Sequence, residues 1–289
     1  MQVPLLDDLK RRHVLQRLRR YPAVRKALRV IDVPIWRRPA GARNRVGMRL
    51  IQHIGYHLPS HGPEPEIAAL ICAFARVLPV RTFVDVGANM GYYTWLLRDM
   101  APRDIDLHMV EPDPGNIDLI RATISRSPNN VTLHPVALGP EDGELPFYLD
   151  ADSAHRGSLI DQPFLEGQTV VAVRRFDDEF PAESLSELVL VKIDVEGGEE
   201  MVLAGADAFL RSQPIVVIEC YCGDEPGKAP QILRDVGGYR LLDAVSTGPV
   251  TTDTKNYLAV PRSVSDGDLE QVLAARGDAL RTKGRRWAS

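Results

Sequence analysis

The sequence predicts a doubly wound α/β fold that carries a β-ribbon insert and is preceded by a helical extension. From about residue 67 onward, short apolar runs alternate with segments of helical periodicity, the pattern of a parallel sheet covered on both faces. The first of those runs ends in a glycine turn, "FVDVGANMGYY" at 83–93, placed where open α/β sheets bind ligands, beyond the carboxyl ends of the strands.

Residues 1–62 are expected to form a basic helical extension. Residues 1–50 hold 14 Lys and Arg against 3 Asp and Glu, a net charge of +11, whereas the remaining 239 residues carry −15. Within this segment "AVRKALRVI" puts Val24, Ala27, Leu28 and Ile31 on one helical face and Arg25, Lys26 and Arg29 on the other, the pattern of a helix lying on a surface. Two surfaces suit it: the acidic remainder of the same chain, or an anionic membrane or substrate. Nucleic acid is not expected, because the motifs and aromatic content of the usual nucleic-acid modules are missing.

After the linker "HLPSHGPEPE", Ile67, Leu70, Ile71, Phe74 and Val77 recur at helical spacing. There follow "RTFVDVG" as a strand, "YYTWLLRDM" as a helix, "DIDLHMVEP" as a strand, "GNIDLIRATIS" as a helix and "NVTLHPVAL" as a strand. "GELPFYLD" and "TVVAVRRFDD" alternate at period 2 and form the ribbon, joined by a polar connection that contains His155. Then come "LVLVKIDV" as a strand, "EEMVLAGADAFL" as a helix, "PIVVIEC" as a strand, "APQILRDVG" as a helix, and "YRLLDAV" and "KNYLAVP" as closing strands. The organisation expected is therefore an extension over 1–62, a main domain over 63–264 and a C-terminal helix with a basic tail over 265–289.

Composition is that of a globular protein, with 44% hydrophobic and 26% charged residues and no apolar run near the roughly 20 residues of a spanning helix. The N-terminal "MQVPLLDDLKRRH" meets charge by Asp7 and lacks the apolar core of a secretory signal, so a cytoplasmic protein is expected. Three cysteines, Cys72, Cys220 and Cys222, suit a reducing compartment and lack partners at metal-site spacing.

In the glycine turn, Gly87 and Gly91 permit a tight bend and Asn89 tolerates a left-handed conformation. Glu111, at the end of the next strand and 24 residues after Gly87, is placed to accept hydrogen bonds from both hydroxyls of a ribose. An adenosine ligand follows. The spacing of Gly87, Asn89 and Gly91 does not match the G-x-G-x-x-G that a pyrophosphate requires, and Asp85 would repel one while attracting a sulfonium or ammonium group.

"FVDVGANMGYYTWLL", "VEPDPGN", "HPVALGPEDGELPFY", "LVKIDVEGGEEMVLAGADAFL", "PIVVIEC" and "NYLAVP" together resemble the FkbM-type S-adenosylmethionine-dependent O-methyltransferases over residues 80–261. The resemblance implies a seven-stranded, Rossmann-like methyltransferase fold whose last strand is antiparallel, S-adenosyl-L-methionine as cofactor, and methyl transfer to a hydroxyl of a sugar or polyketide. It also implies that Asp85, Gly87, Asn89 and Gly91 line the methionine part of the cofactor, that Glu111 binds its ribose, and that Asp113, Ala137 and Leu138 flank its adenine.

"KIDVEGGE", Lys192 to Glu199, would then lie beside the methyl group. Methyl transfer to oxygen needs alignment and a base for the hydroxyl proton. Asp194 is the first candidate for that base. Glu196, two residues on and expected to project to the same side, is the second, with capping of the next helix as its other reading. Lys192 is a candidate for holding these carboxylates charged or touching substrate oxygen, and equally for a structural ion pair. His155 would bring an imidazole to the acceptor if its loop folded over the sheet edge. Paired carboxylates also suit Mg²⁺, but no third ligand is evident and no metal is expected. The favoured acceptor is a sugar of a glycolipid or polysaccharide, with a polyketide or other secondary metabolite second. From other classes, a nicotinamide-dependent oxidoreductase and a non-catalytic adenosine-binding module remain.

Overall fold

The computed structural model describes residues 30–39, 41–53, 56, 64–101, 104–126, 130–149, 157–161, 167–181, 183, 185, 188–220 and 228–281; His155, Cys222 and most of the amphipathic segment at 24–31 lie outside them. Val30 and Ile31, the first described residues, are helical, and two strands follow within the segment expected as a helical extension. β1 (Pro34–Arg37) and β2 (Val46–Arg49) pair antiparallel as a hairpin, burying Val46 and Met48 in the core. No helical period is possible here, because Pro34 and Pro39 bracket β1 and Gly47 centres β2.

α1 (Pro65–Val77) opens with Pro at its first position, whose fixed φ suits a helix start, and buries Ile67, Leu70, Ile71 and Phe74. β3 (Val80–Val86), α2 (Tyr92–Met100), β4 (Asp106–Val110), α3 (Pro114–Arg126) and β5 (Val131–His134) follow in strict alternation. The segment expected as one strand over 130–138 divides at Pro135, which has no N–H for a sheet ladder. β6 (Ala137–Gly139) leaves the central sheet and joins β7 (Gly143–Leu149), β8 (Gly157–Ser158) and β9 (Gly167–Arg175) in a separate four-stranded sheet, the expected ribbon at its centre.

A short helix, α4 (Phe176–Glu179), leads to β10 (Leu188–Ile193). The helix expected over 199–210 is two, α5 (Glu199–Ala204) and α6 (Asp207–Arg211), broken at Gly205. A Cβ there would lie 2.1 Å from the Gly139 carbonyl oxygen, so the backbones meet at that point and the chain bends around the contact. Asp177 then caps α6, accepting from the N–H groups of Ala208 and Phe209 at 3.0 and 2.9 Å. β11 (Ile215–Glu219), α7 (Ala229–Val236), β12 (Tyr239–Asp243), β13 (Asn256–Pro261) and α8 (Asp266–Arg281) complete the chain.

Among the described residues the central sheet has seven strands in the order β5-β4-β3-β10-β11-β13-β12, with β13 antiparallel to both of its neighbours. Both faces are covered. Phe83, Leu190, Val217 and Leu258 face a core shared with α1, α2 and α8, while Val84, Val191, Val216 and Ala259 face one shared with α5, α6 and α7. Each large side chain buried there contributes roughly 1.5–3 kcal/mol. Because Leu269 and Val272 of α8 sit in the same core as α1, the C-terminal helix is part of the main domain and not an appendage. No described helix is long and apolar enough to cross a membrane. Strand order reverses between β3 and β10, so the crevice in which such sheets bind ligands opens at the carboxyl ends of those two strands.

Candidate active site

The chain leaves β3 in a turn with three left-handed residues: Gly87 (φ 75°), Asn89 (φ 55°) and Gly91 (φ 85°). Gly87 and Ala88 donate their N–H groups to the Val110 carbonyl at 3.0 and 3.1 Å. Asn89 closes the bend with its own side chain, whose Oδ1 accepts from Met90 N at 2.7 Å, and the indole of the buried Trp95 donates to the Met90 carbonyl at 2.7 Å. Gly87 also touches the distant β10 end, since a Cβ on it would stand 1.9 Å from the Asp194 carbonyl oxygen. Gly87→Ala is therefore expected to cost at least about 2 kcal/mol, a fall in Tm of roughly 5 °C or more by scanning calorimetry, and to weaken cofactor binding by displacing Asp194.

A cleft lies beyond this turn, open to solvent at its mouth. Its walls include Gly87, Asn89, Glu111, Asp113, Ala137 and Leu138, together with Asp194 and Glu196. Phe147 and Leu159 of the ribbon sheet complete the apolar side; the sequence reading did not single them out, because the ribbon is brought to the crevice only by β6 leaving the main sheet. Glu111 is 4% exposed. Its Oε2 accepts from Asn89 N at 2.7 Å and its Oε1 from Asp113 N at 2.9 Å, which orients both oxygens and leaves lone pairs for ribose hydroxyls. Burial, aided by the nearby Asp113 charge and opposed by these hydrogen bonds, pushes its carboxyl up to about 8.

Asp85, Gly91 and Lys192 are absent from the cleft wall. Gly91 instead begins α2, packed against Trp95 and Met109. Asp85 and Lys192 are register partners on β3 and β10, and period 2 puts them on the face that carries Phe83 and Leu190. Glu219 ends β11 on the same face, two residues after Val217. The three charges converge with Glu64, which immediately precedes α1. Lys192 Nζ is 2.9 Å from Asp194 Oδ2 and 4.7 Å from the centre of the Tyr93 ring, whose hydroxyl donates to Glu64 Oε2 at 2.6 Å. Asp85 is fully buried; Thr94 Oγ1 donates to its Oδ2 at 2.9 Å, while Oδ1 has no hydrogen-bond partner.

Burial works against the Lys192 charge, but Asp194, Asp85 and Glu64 outweigh it and hold the ammonium more firmly protonated than usual. The carboxyls respond oppositely. Burial raises Glu64, with Lys192 opposing, and raises Glu219 to about 8, with Asp194 and Glu64 adding to the effect. One oxygen each of Glu64, Asp194 and Glu219 lies within 4.8 Å of the others, a set that offers three ligands to a divalent cation. The set differs from the expected Asp194–Glu196 pair: Glu196 is not part of it, and two further carboxylates join Asp194, one from the linker and one from the fifth parallel strand. Glu219 was findable by extending the strand-end rule to "PIVVIEC"; Glu64 had no signal in its spacing.

Glu196 does not project as the strand pattern predicted. β10 ends at Ile193, and Glu196 has φ 54° in a left-handed turn, so alternation no longer governs its direction. It reaches the cleft through that bend, and the cap position of α5 is Gly198. His108 and His134 bond to each other across β4 and β5 at 3.0 Å, and His134 also bonds to Glu179, outside the cleft wall.

The family described as "Methyltransferase FkbM domain" matches residues 85–241, more than half of the chain. The chain belongs to this family. The FkbM domain so defined contains the turn, Glu111 and the β10 end, and it excludes Glu64. The chain is 25% identical over 154 residues to the hexuronic acid methyltransferase AglP of Haloferax volcanii, a match over 52% of this chain and only 60% of that relative. Among solved structures it resembles methyltransferase FkbM from Methylobacillus flagellatus, with 19% identity, coverage of 62% and 43% of the two chains and a TM-score of 0.41. It also resembles the O-methyltransferase TomG from Streptomyces achromogenes, solved with SAM, with 14% identity, coverage of 71% and 83% and a TM-score of 0.37.

Proposed function

We propose that this FkbM domain transfers the methyl group of S-adenosylmethionine to a hydroxyl of a sugar. The observation that carries the reading is the position of Asp194, a residue of the cleft wall whose side chain is ion-paired in the charged cluster beside it. The residues suit the cofactor along its length: apolar Ala137, Leu138 and Phe147 for a base, the two oriented Glu111 oxygens for a ribose, and the acidic residues Asp194 and Glu196 for a cationic end. When bound, S-adenosylmethionine supplies a methyl group made electrophilic by its sulfonium.

This chain's residues would bind, align and deprotonate. Glu111 anchors the ribose. Lys192, ion-paired to Asp194 and resting on Tyr93, fixes the Asp194 carboxylate in place. Asp194 accepts the acceptor's hydroxyl proton at a carboxylate oxygen as the new C–O bond forms, a role worth about 10²–10⁴ in rate. Glu64 and Glu219 are positioned to accept hydrogen bonds from neighbouring hydroxyls, which favours a polyhydroxylated acceptor. The sugar acceptor draws further support from the name of the Haloferax relative, and a glycolipid or polysaccharide is its proposed carrier.

Calorimetry with S-adenosylhomocysteine and, separately, NAD checks the cofactor, followed by transfer of labelled methyl to a saccharide extract. Binding of NAD alone would sink the reading. Since the Lys192 ammonium already occupies an oxygen of Asp194 within the set, transfer is expected to be unchanged by EDTA and lost in Lys192→Met. Loss on chelation with recovery on adding Mg²⁺ would instead assign those carboxylates to a metal.

A further inference from the structure

Three guanidinium groups stand together at the loop end of the β1–β2 hairpin. Arg37, Arg38 and Arg45 line one open pocket with Trp36; all three are exposed, and none has an ion-pair partner among the described residues. The Arg126 guanidinium lies 3.7 Å from the centre of the Trp36 ring, adding a fourth cation to the same surface.

This surface is held rigidly. Arg43 N and Asn44 N donate to Asp99 Oδ2 at 2.7 and 2.8 Å, Asn44 Nδ2 donates to Asp99 Oδ1 at 2.7 Å, and Gly47 N donates to the buried Thr123 Oγ1 at 2.9 Å. Four like charges fixed at close quarters repel one another, so an arrangement that holds them apart from every carboxylate is one prepared for an anion. Val30, Ile31 and Val33, just before β1, are 76%, 51% and 49% exposed, so apolar side chains adjoin the cations. The residues preceding them, 1–29, carry nine Lys and Arg against two Asp and Glu.

We propose that the β1–β2 hairpin docks the protein on an anionic lipid bilayer, its arginines engaging lipid phosphates. A bilayer fits better than a soluble anion because the surface is open, many-charged and flanked by exposed aliphatic side chains. Its location has a functional consequence. The hairpin is tied to the carboxyl ends of α2 and α3 through Asp99 and Arg126, and in a doubly wound fold those ends lie at the amino edge of the parallel sheet, opposite the cleft. Docking by this edge leaves the cleft facing the aqueous phase, reachable by a sugar standing well clear of its lipid or by a soluble saccharide.

Sedimentation of the full chain with phosphatidylcholine vesicles containing about one third phosphatidylglycerol tests the proposal. Binding is expected at low salt, is weakened at high salt, and falls roughly a hundredfold in Arg37→Glu/Arg38→Glu/Arg45→Glu. Methyl transfer to a soluble acceptor and Tm should stay unchanged in that variant. A charge-matched control, Arg211→Glu/Arg234→Glu/Arg262→Glu, should keep its binding. The proposal is overturned if the wild-type chain does not sediment, if the hairpin variant binds as wild type does, or if the control loses equally. Saturable binding of inorganic phosphate at the hairpin without vesicle binding would also overturn it.

Discussion

Asp194→Asn is expected to lower kcat by about 100- to 1,000-fold while leaving cofactor affinity within a factor of about three. The substitution keeps the side chain's size and removes its ability to take a proton. Its carbonyl oxygen still contacts Gly87, so the turn that shapes the cleft is retained. Calorimetry with S-adenosylhomocysteine separates the two effects. A variant that binds and turns over normally would remove Asp194 as the base, and Glu219 would be the next candidate. A pH profile adds an independent reading. As Glu219 loses its proton near pH 8, it becomes a charged and stronger hydrogen-bond acceptor for an acceptor hydroxyl beside Asp194. The rate should therefore rise through about pH 8 in the wild type, and Glu219→Gln should flatten that rise.

Glu111→Gln is expected to weaken cofactor binding roughly 10- to 100-fold, because both carboxylate oxygens already face N–H donors and an amide NH₂ must oppose one of them. The wild-type affinity should itself rise toward pH 8, since the ionised carboxylate is the better acceptor for ribose hydroxyls and it forms only near that pH. Stability moves the other way. The folded carboxyl holds its proton up to about pH 8, whereas an unfolded one releases it near the ordinary glutamate range. Between those limits the native state binds more protons than the unfolded state, so stability falls as pH rises. The difference in unfolding free energy between wild type and Glu111→Gln, in the absence of cofactor, should accordingly shift against the wild type from pH 5 to pH 8.5, by an amount on the order of 2 to 4 kcal/mol. A constant difference across that range would show that Glu111 is ionised throughout. The buried carboxyl proposed to bind the ribose thus destabilises the empty protein, a trade-off common at binding sites.

Much of this was legible in one dimension. Periodicity found the alternation of strands and helices because each element buries its face by a repeat that is local in sequence. The left-handed Asn89 and the cleft positions of Gly87, Glu111 and Asp113 follow from strand ends and turn chemistry, which are equally local. Asp85 and Lys192 were found as residues but not as partners. Their pairing depends on β3 and β10 lying side by side, more than 100 residues apart in the chain, and no repeat in the sequence encodes that neighbour relation. Glu64, the bend at Gly205 against Gly139 and the β1–β2 hairpin are of the same kind: each is set by which distant backbone or side chain arrives beside it. Local chemistry was enough to mark the Glu111 side of the cleft. The charged cluster beside it is assembled from the ends of three strands and the start of a helix, and its charges acquire their proton affinities only once burial and one another's fields act on them.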